Sequence, residues 1–203
     1  MPHDPFDVVR AFESELCAYT GAKYAVTTTS CTMAILIACA YVKYRWNWMS
    51  MTLPKFTYVG VAASVKNAGL SVRFDDFQWK GLYRLGPGCL VIDSARRFTS
   101  GMYAGGFQCL SFHTSKILGL AGHGGCILHD DEEADGWLRR ARFDGRTEGV
   151  PAAEDNVQYP SWHCYMTPAT AAEGLMRLAI LPKHNADLPN SDYPDLSKLD
   201  AFR

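Results

Sequence analysis

The sequence predicts a three-layer α/β sandwich around a mainly parallel sheet. Short apolar runs alternate with segments whose apolar residues recur at helical spacing, the pattern of helices packed on the faces of a sheet. Capping residues and breakers fall at the joints between them, as at Gly21, Gly69 and Thr167-Pro168. The third observation is bulk: 48% of the 203 residues are hydrophobic. A single domain of this size buries roughly 70% of its unfolded surface, so a continuous core is available.

Asp4-Pro5 opens the first helix, where proline fits the first turn, and Phe6, Val9, Phe12, Leu16 and Tyr19 mark one face of it. Gly21 is placed to end it as a left-handed cap. A strand over 24–28 leads into a helix over 31–44. Met51 to Leu53 form a short strand broken by Pro54, followed by a helix over 57–68 and a strand over 71–75. Residues 76–88 are expected to form a turn or hairpin bearing Trp79 and Tyr83. Strands over 89–93, 107–112 and 125–129 complete the sheet. Four acids at 130–133 suit the first turn of a helix over 131–143, where the dipole favours negative charge. Residues 145–159 are polar and read as a mobile loop and candidate lid. Thr167 caps and Pro168 begins a helix over 168–180. Prolines at 182, 189 and 194 then argue for an extended tail, so the chain divides into a domain over 1–181 and a tail over 182–203.

The formal charge of −1 leaves no electrostatic footprint for nucleic acid or an anionic membrane. Arg139, Arg140, Arg142 and Arg146 form a small basic cluster, read first as a solvated face. Seven cysteines are scattered without zinc-site or paired spacing. With no signal peptide, an odd cysteine count fits a reducing, cytoplasmic setting. No apolar run reaches the length needed to span a bilayer.

Three segments carry the chemistry. Ser111-Phe112-His113-Thr114-Ser115-Lys116 ends a strand and precedes Gly119, Gly122, Gly124 and Gly125. A lysine held there, partly buried, ionises less readily and suits nucleophilic attack on a carbonyl. Leu90-Val91-Ile92-Asp93 is an apolar strand ending in a carboxylate, at the strand end where α/β sheets bind ligands. Pyridoxal phosphate enzymes need such an acid to keep the ring nitrogen protonated. Thr27 to Thr32 leads into a helix whose free N–H groups suit a phosphate. Taken singly, the lysine also fits a surface turn and the threonine run a simple helix cap. Phosphate cup, aromatic, acid and lysine in that chain order are far more specific.

Over about residues 12–178 these motifs resemble the DegT/DnrJ/EryC1/StrS family of sugar aminotransferases, of the aspartate-aminotransferase fold type I. Ser30-Cys31-Thr32 sits where that family has its Ser-Gly-Thr phosphate loop, and Pro54-Lys55-Phe56-Thr57-Tyr58 resembles its Pro-x-x-Thr-aromatic segment. Val91-Ile92-Asp93-Ser94-Ala95 resembles the strand of the ring-nitrogen aspartate, with Arg96 where His or Gln is usual. Gly122-His123-Gly124-Gly125 stands for Gly-Glu-Gly-Gly, and Trp162 to Pro168 for a Tyr-Asn-Tyr-Arg-Met segment, with His163 and Tyr165 replacing asparagine and arginine. Set against that resemblance, the chain is expected to lack the family's C-terminal small domain.

The resemblance implies a pyridoxal 5'-phosphate enzyme acting as an aminotransferase on nucleotide-linked keto sugars. Lys116 would hold the cofactor as an internal aldimine and Asp93 would serve as second catalytic residue. Ser30, Cys31, Thr32, Tyr58, Asp93, Arg96, Ser111, Lys116 and His163 would bind the cofactor, with no metal. His163 would act from the partner subunit of a homodimer with a shared site. Two other readings stay open. One is decarboxylation, elimination or isomerisation of an amino-acid group on a larger scaffold, such as a hypermodified base in viral DNA. The other is a cofactor-binding module without catalysis.

Overall fold

The computed structural model describes residues 4–202. Helix α1 (Asp7–Thr20) ends at Gly21, whose positive φ of 83° lets its N–H bond the Cys17 carbonyl. Strand β1 (Tyr24–Thr28) leads to α2 (Cys31–Trp46), capped where the Ser30 hydroxyl accepts from the Met33 N–H at 3.2 Å. The rest of the order is β2 (Ser50–Pro54), α3 (Val59–Asn67), β3 (Ser71–Asp75), β4 (Tyr83–Arg84), β5 (Val91–Asp93), β6 (Phe107–Ser111), β7 (Gly125–His129), α4 (Glu132–Ala141) and α5 (Pro168–Ile180).

Five strands form one sheet in the order β1-β7-β6-β5-β4, and β2 and β3 form a separate parallel pair. Side chains alternate across the main sheet as strand periodicity requires. Val26, Cys109 and Ile127 enter the core beneath α2, while Ala25, Leu110 and Leu128 enter the core beneath α1 and α5. Helix α2 is apolar nearly all round because it lies between β5–β7 on one side and α3 and α4 on others.

The α/β architecture agrees with the sequence reading, but the sheet is mixed rather than mainly parallel. The β1–β7, β6–β7 and β4–β5 ladders are antiparallel; β5–β6 is parallel. The cause lies in the connections. Residues 112–124 between β6 and β7 contain no helix, so they do not make the crossover that a parallel pair requires. The short link from β4 to β5 is likewise a hairpin. Leu85 ties the two sheets together: its N–H bonds the Val91 carbonyl, and its carbonyl accepts from Thr52 N–H at 3.1 Å.

Two further expectations change. The arginine cluster is not a solvated face: Arg142 is fully buried and paired with Glu13 and Glu148, and Arg139 bridges Glu13 and Asp135. Glu13 stands far away on α1, so no local pattern announces it. Among its described residues, 182–202, the tail has only two short 3-10 turns, Leu196–Lys198 and Asp200–Phe202, yet it is packed. Leu196 is fully buried, Arg97 pairs with Asp187 at 2.6 Å, and Lys66 donates to the Ala201 carbonyl at 3.1 Å.

Candidate active site

A cavity of about 420 Å³ opens at the carboxyl ends of β1, β5 and β6. One wall is the turn from β1 into α2. Ser30 holds the helix cap, so the N–H groups of Cys31 and Thr32, first in the helix, have no intrahelical acceptor and remain for an anion. Both residues line the cavity. The Cys31 thiol turns away and lies 3.5 Å from the Cys109 carbonyl. Burial pushes its pKa well up, so it behaves as a small apolar group. Gly125, at the start of β7, lies directly against Ser30; a Cβ there would overlap the Ser30 carbonyl carbon and the Cys31 nitrogen.

Lys116 is positioned by the irregular connection between β6 and β7. That segment is pinned by buried Leu118 and Leu120, by Leu120 N–H to the Phe112 carbonyl at 2.9 Å, and by Phe112 N–H to the Gly124 carbonyl. Lys116 N–H bonds the His113 carbonyl at 2.8 Å, turning the side chain into the cavity wall. Its pKa is lowered, first by burial and next by the nearby positive charge of Arg96, with Asp93 opposing. Ser111 lines the same wall. The His113 and His123 rings stack with centroids 4.8 Å apart and planes nearly parallel, and both line the cavity. His123 has a φ of 60°, so this histidine takes a left-handed backbone position.

Asp93 ends β5 and is buried. Burial raises its pKa, opposed by the Ala95 N–H (2.9 Å), the Tyr83 hydroxyl, Lys116 and Arg96. Tyr83 in turn meets Thr57 Oγ1 at 2.7 Å. Tyr58, 55% exposed, stands at the rim, and Gly60 leaves it room: a Cβ at 60 would come within 2.6 Å of its ring.

Ser30, Cys31, Thr32, Tyr58, Asp93, Arg96, Ser111 and Lys116 line one cavity. His163 does not join them in this chain. It lies on the surface with Nδ1 2.6 Å from Asp144, while Tyr165 is locked in an aromatic cluster with Phe6 and Phe143. The expected lid over 145–159 does not line the cavity either. Sequence reasoning missed Tyr83, Trp79, Ser191 and Tyr193. Only the hairpin tyrosine and tryptophan gave any signal, and nothing local brings the tail's Ser191 and Tyr193 to the cavity.

No curated protein sequence matches the chain. The sequence model of the DegT/DnrJ/EryC1/StrS aminotransferase family matches residues 5–82. Solved structures share the fold. A DegT DnrJ EryC1 StrS aminotransferase from Brucella abortus has a TM-score of 0.72 at 20% identity, covering 86% of this chain and 59% of its own. Helicobacter pylori PseC, an aminotransferase involved in the biosynthesis of pseudoaminic acid, gives 0.72 at 17%, covering 87% and 58%. A GDP-4-keto-6-deoxymannose-3-dehydratase, solved with a trapped PLP-glutamate geminal diamine, gives 0.70 at 18%, covering 87% and 61%. The chain thus spans about three fifths of the length of these proteins. Residues 5–82 are similar in sequence to the DegT/DnrJ/EryC1/StrS aminotransferase family, and the chain shares its fold with a solved protein of that description.

Proposed function

We propose that the chain is a pyridoxal-phosphate-dependent aminotransferase acting on keto sugars linked to a nucleotide. The observation that carries this reading is the convergence of Lys116, Asp93 and the Ser30–Thr32 turn on one cavity. The residues fit the cofactor: free helix-terminal N–H groups suit its phosphate, a buried carboxylate suits its ring nitrogen, and a partly desolvated amine suits its aldehyde. When bound, pyridoxal phosphate supplies an aldehyde that bonds amines and a ring that accepts electron density.

The chain's own residues do the rest. Cys31 and Thr32 N–H groups, with the Ser30 and Ser111 hydroxyls, would bind the phosphate. Asp93 would hold a proton on the ring nitrogen. An ionised carboxylate against a cation is favoured in that buried place, where the lone carboxylate is disfavoured. Tyr58 would cover a ring face. Lys116 would anchor the group and, once displaced by an incoming amine, its Nζ is the base placed to carry a proton. Burial and Arg96 favour the neutral amine that both roles need. A homodimer accounts for His163 and Tyr165, which face away from their own chain's cavity and would serve the partner's site. Among the described residues no helix is long and apolar enough to cross a membrane.

Borohydride reduction of the cofactor-saturated protein followed by peptide mapping tests the reading. A pyridoxyl label on Lys116 is expected. A label on another lysine, or none at saturation, overturns it.

A further inference from the structure

Arg96 and Arg97 are neighbours with opposite surroundings. Arg97 makes a two-pronged pair with Asp187, Nε and Nη2 donating to its two oxygens at 2.8 and 2.6 Å. Arg96 is only 8% exposed and lines the cavity, yet among the described residues it pairs with no carboxylate. Its acceptors are neutral and all lie on the tail: the Pro189 carbonyl, the Ser191 hydroxyl, and the Tyr193 hydroxyl at 2.8 and 3.2 Å. The Tyr193 ring also lies 5.5 Å from the guanidinium carbon. The other arginines drawn into the interior, Arg139 and Arg142, each meet two carboxylates. A buried guanidinium among neutral acceptors is an expensive arrangement, and it leaves an anionic partner wanting.

The donors for such a partner are present. A guanidinium has five N–H groups, and the bonds to the tail leave one on Nη1. The Ser191 and Tyr193 hydroxyls accept from Arg96, and among the described residues neither has an acceptor for its own O–H. Both line the cavity. We propose that Arg96, oriented by Ser191 and Tyr193 of the tail, receives the carboxylate of the amino-acid donor. The amine of an α-amino acid must reach Lys116, and its carboxylate is one carbon further on, on the same cavity. Planar guanidinium–carboxylate geometry favours this group over a sugar hydroxyl. Arg96 thus acts as the donor-specificity residue, and the tail forms the wall that orients it. This rests on the proposed transaminating function.

The test uses cofactor-loaded protein and two amines that differ only in the carboxylate, L-alanine and isopropylamine. The loss of absorbance from the loaded form gives each rate. Arg96→Gln should lower the ratio of the L-alanine rate to the isopropylamine rate at least about tenfold, the scale of one charge-assisted pair, because the loss of its charge beside Lys116 acts on both amines alike and cancels in the ratio. Tyr193→Phe with Ser191→Ala should lower the same ratio less. Arg97→Gln, which removes the Asp187 pair outside the cavity and leaves every donor and acceptor at Arg96 in place, should lower the ratio far less than Arg96→Gln. Calorimetric titration with glutarate, which has no amine, gives a second readout: binding to wild type and none to Arg96→Gln. Equal losses for both amines, or an equal loss in Arg97→Gln, would overturn the proposal. If glutarate binds through Arg96 but no label reaches Lys116, the anion site stands and the transaminase reading falls. If Lys116 is labelled and glutarate binding ignores Arg96, only the present inference falls.

Discussion

Two regions bury charge in this protein, and they do so in opposite ways. Beneath α1 and α4, Glu13 accepts from Thr27 N–H at 2.9 Å and from its hydroxyl at 2.7 Å, and pairs with Arg139 and Arg142. Glu13 keeps a lowered pKa there despite the cost of burial, because two guanidinium groups outweigh it. In the cavity, Asp93 is raised and Lys116 lowered, each shifted toward its neutral form by burial, which the nearby opposite charges do not offset. A network of mutually paired charges holds structure. Charges left short of partners are poised for a ligand.

The sharpest way to break this contrast is at Lys116. Lys116→Ala should abolish cofactor attachment and lower turnover by about 10²–10⁴-fold through lost proton transfer alone. The variant should melt no lower than wild type, since a partly desolvated amine has been removed. A large drop in melting temperature would mean the lysine is structural. Glu13→Ala should do the reverse, costing about 3–5 kcal/mol in urea denaturation because Arg142 is left buried with its nearest counter-charge gone. A loss below about 1 kcal/mol would show that solvent relieves the network.

Asp93→Asn separates stability from function. The folded pKa of Asp93 lies above its unfolded value, so below the ordinary aspartate pKa of 3.8 both states are protonated and the substitution gains nothing. As pH rises past that value the folded state bears the cost of a buried charge. The cofactor-free variant should therefore melt higher than wild type at neutral pH, with the gain fading under acid. Turnover should fall at every pH. A variant less stable than wild type at pH 7 would contradict the raised pKa. The smallest effect is expected from Tyr83→Phe, which removes a hydroxyl supporting Asp93 and leaves Thr57 short of a partner. It should cost about 1 kcal/mol of stability and push the Asp93 pKa further up, read from the pH dependence of melting. An unchanged profile would remove Tyr83 from the site.

What the sequence made legible follows the range of the interactions. The Ser30 cap, the Gly21 stop and the Thr167-Pro168 start act within a turn, and the structure has them where they were expected. Asp93 and Lys116 were readable because strand ends and glycine-rich connections are local features that place residues at a sheet's edge. Strand direction was not: it depends on whether 112–124 contain a helix, and that run is rich in glycine and small polar residues. Arg142 read as surface because its partner Glu13 is distant in sequence. The tail was seen as extended but not as a wall, since the bonds from Arg96 to Tyr193 cross 97 residues.

The fit of Gly125 against Ser30 ties the tolerance of one position to chemistry at another. Gly125 has no left-handed backbone requirement, so its constraint is space alone. Even alanine would place a methyl group where the Ser30 carbonyl and Cys31 nitrogen already stand. The turn would shift, and with it the aim of the helix-terminal N–H groups. A methyl group added on β7, touching no ligand, would thus be felt as weakened anion binding. The two positions stand 95 residues apart along the chain, yet a Cβ on one would overlap the carbonyl carbon of the other.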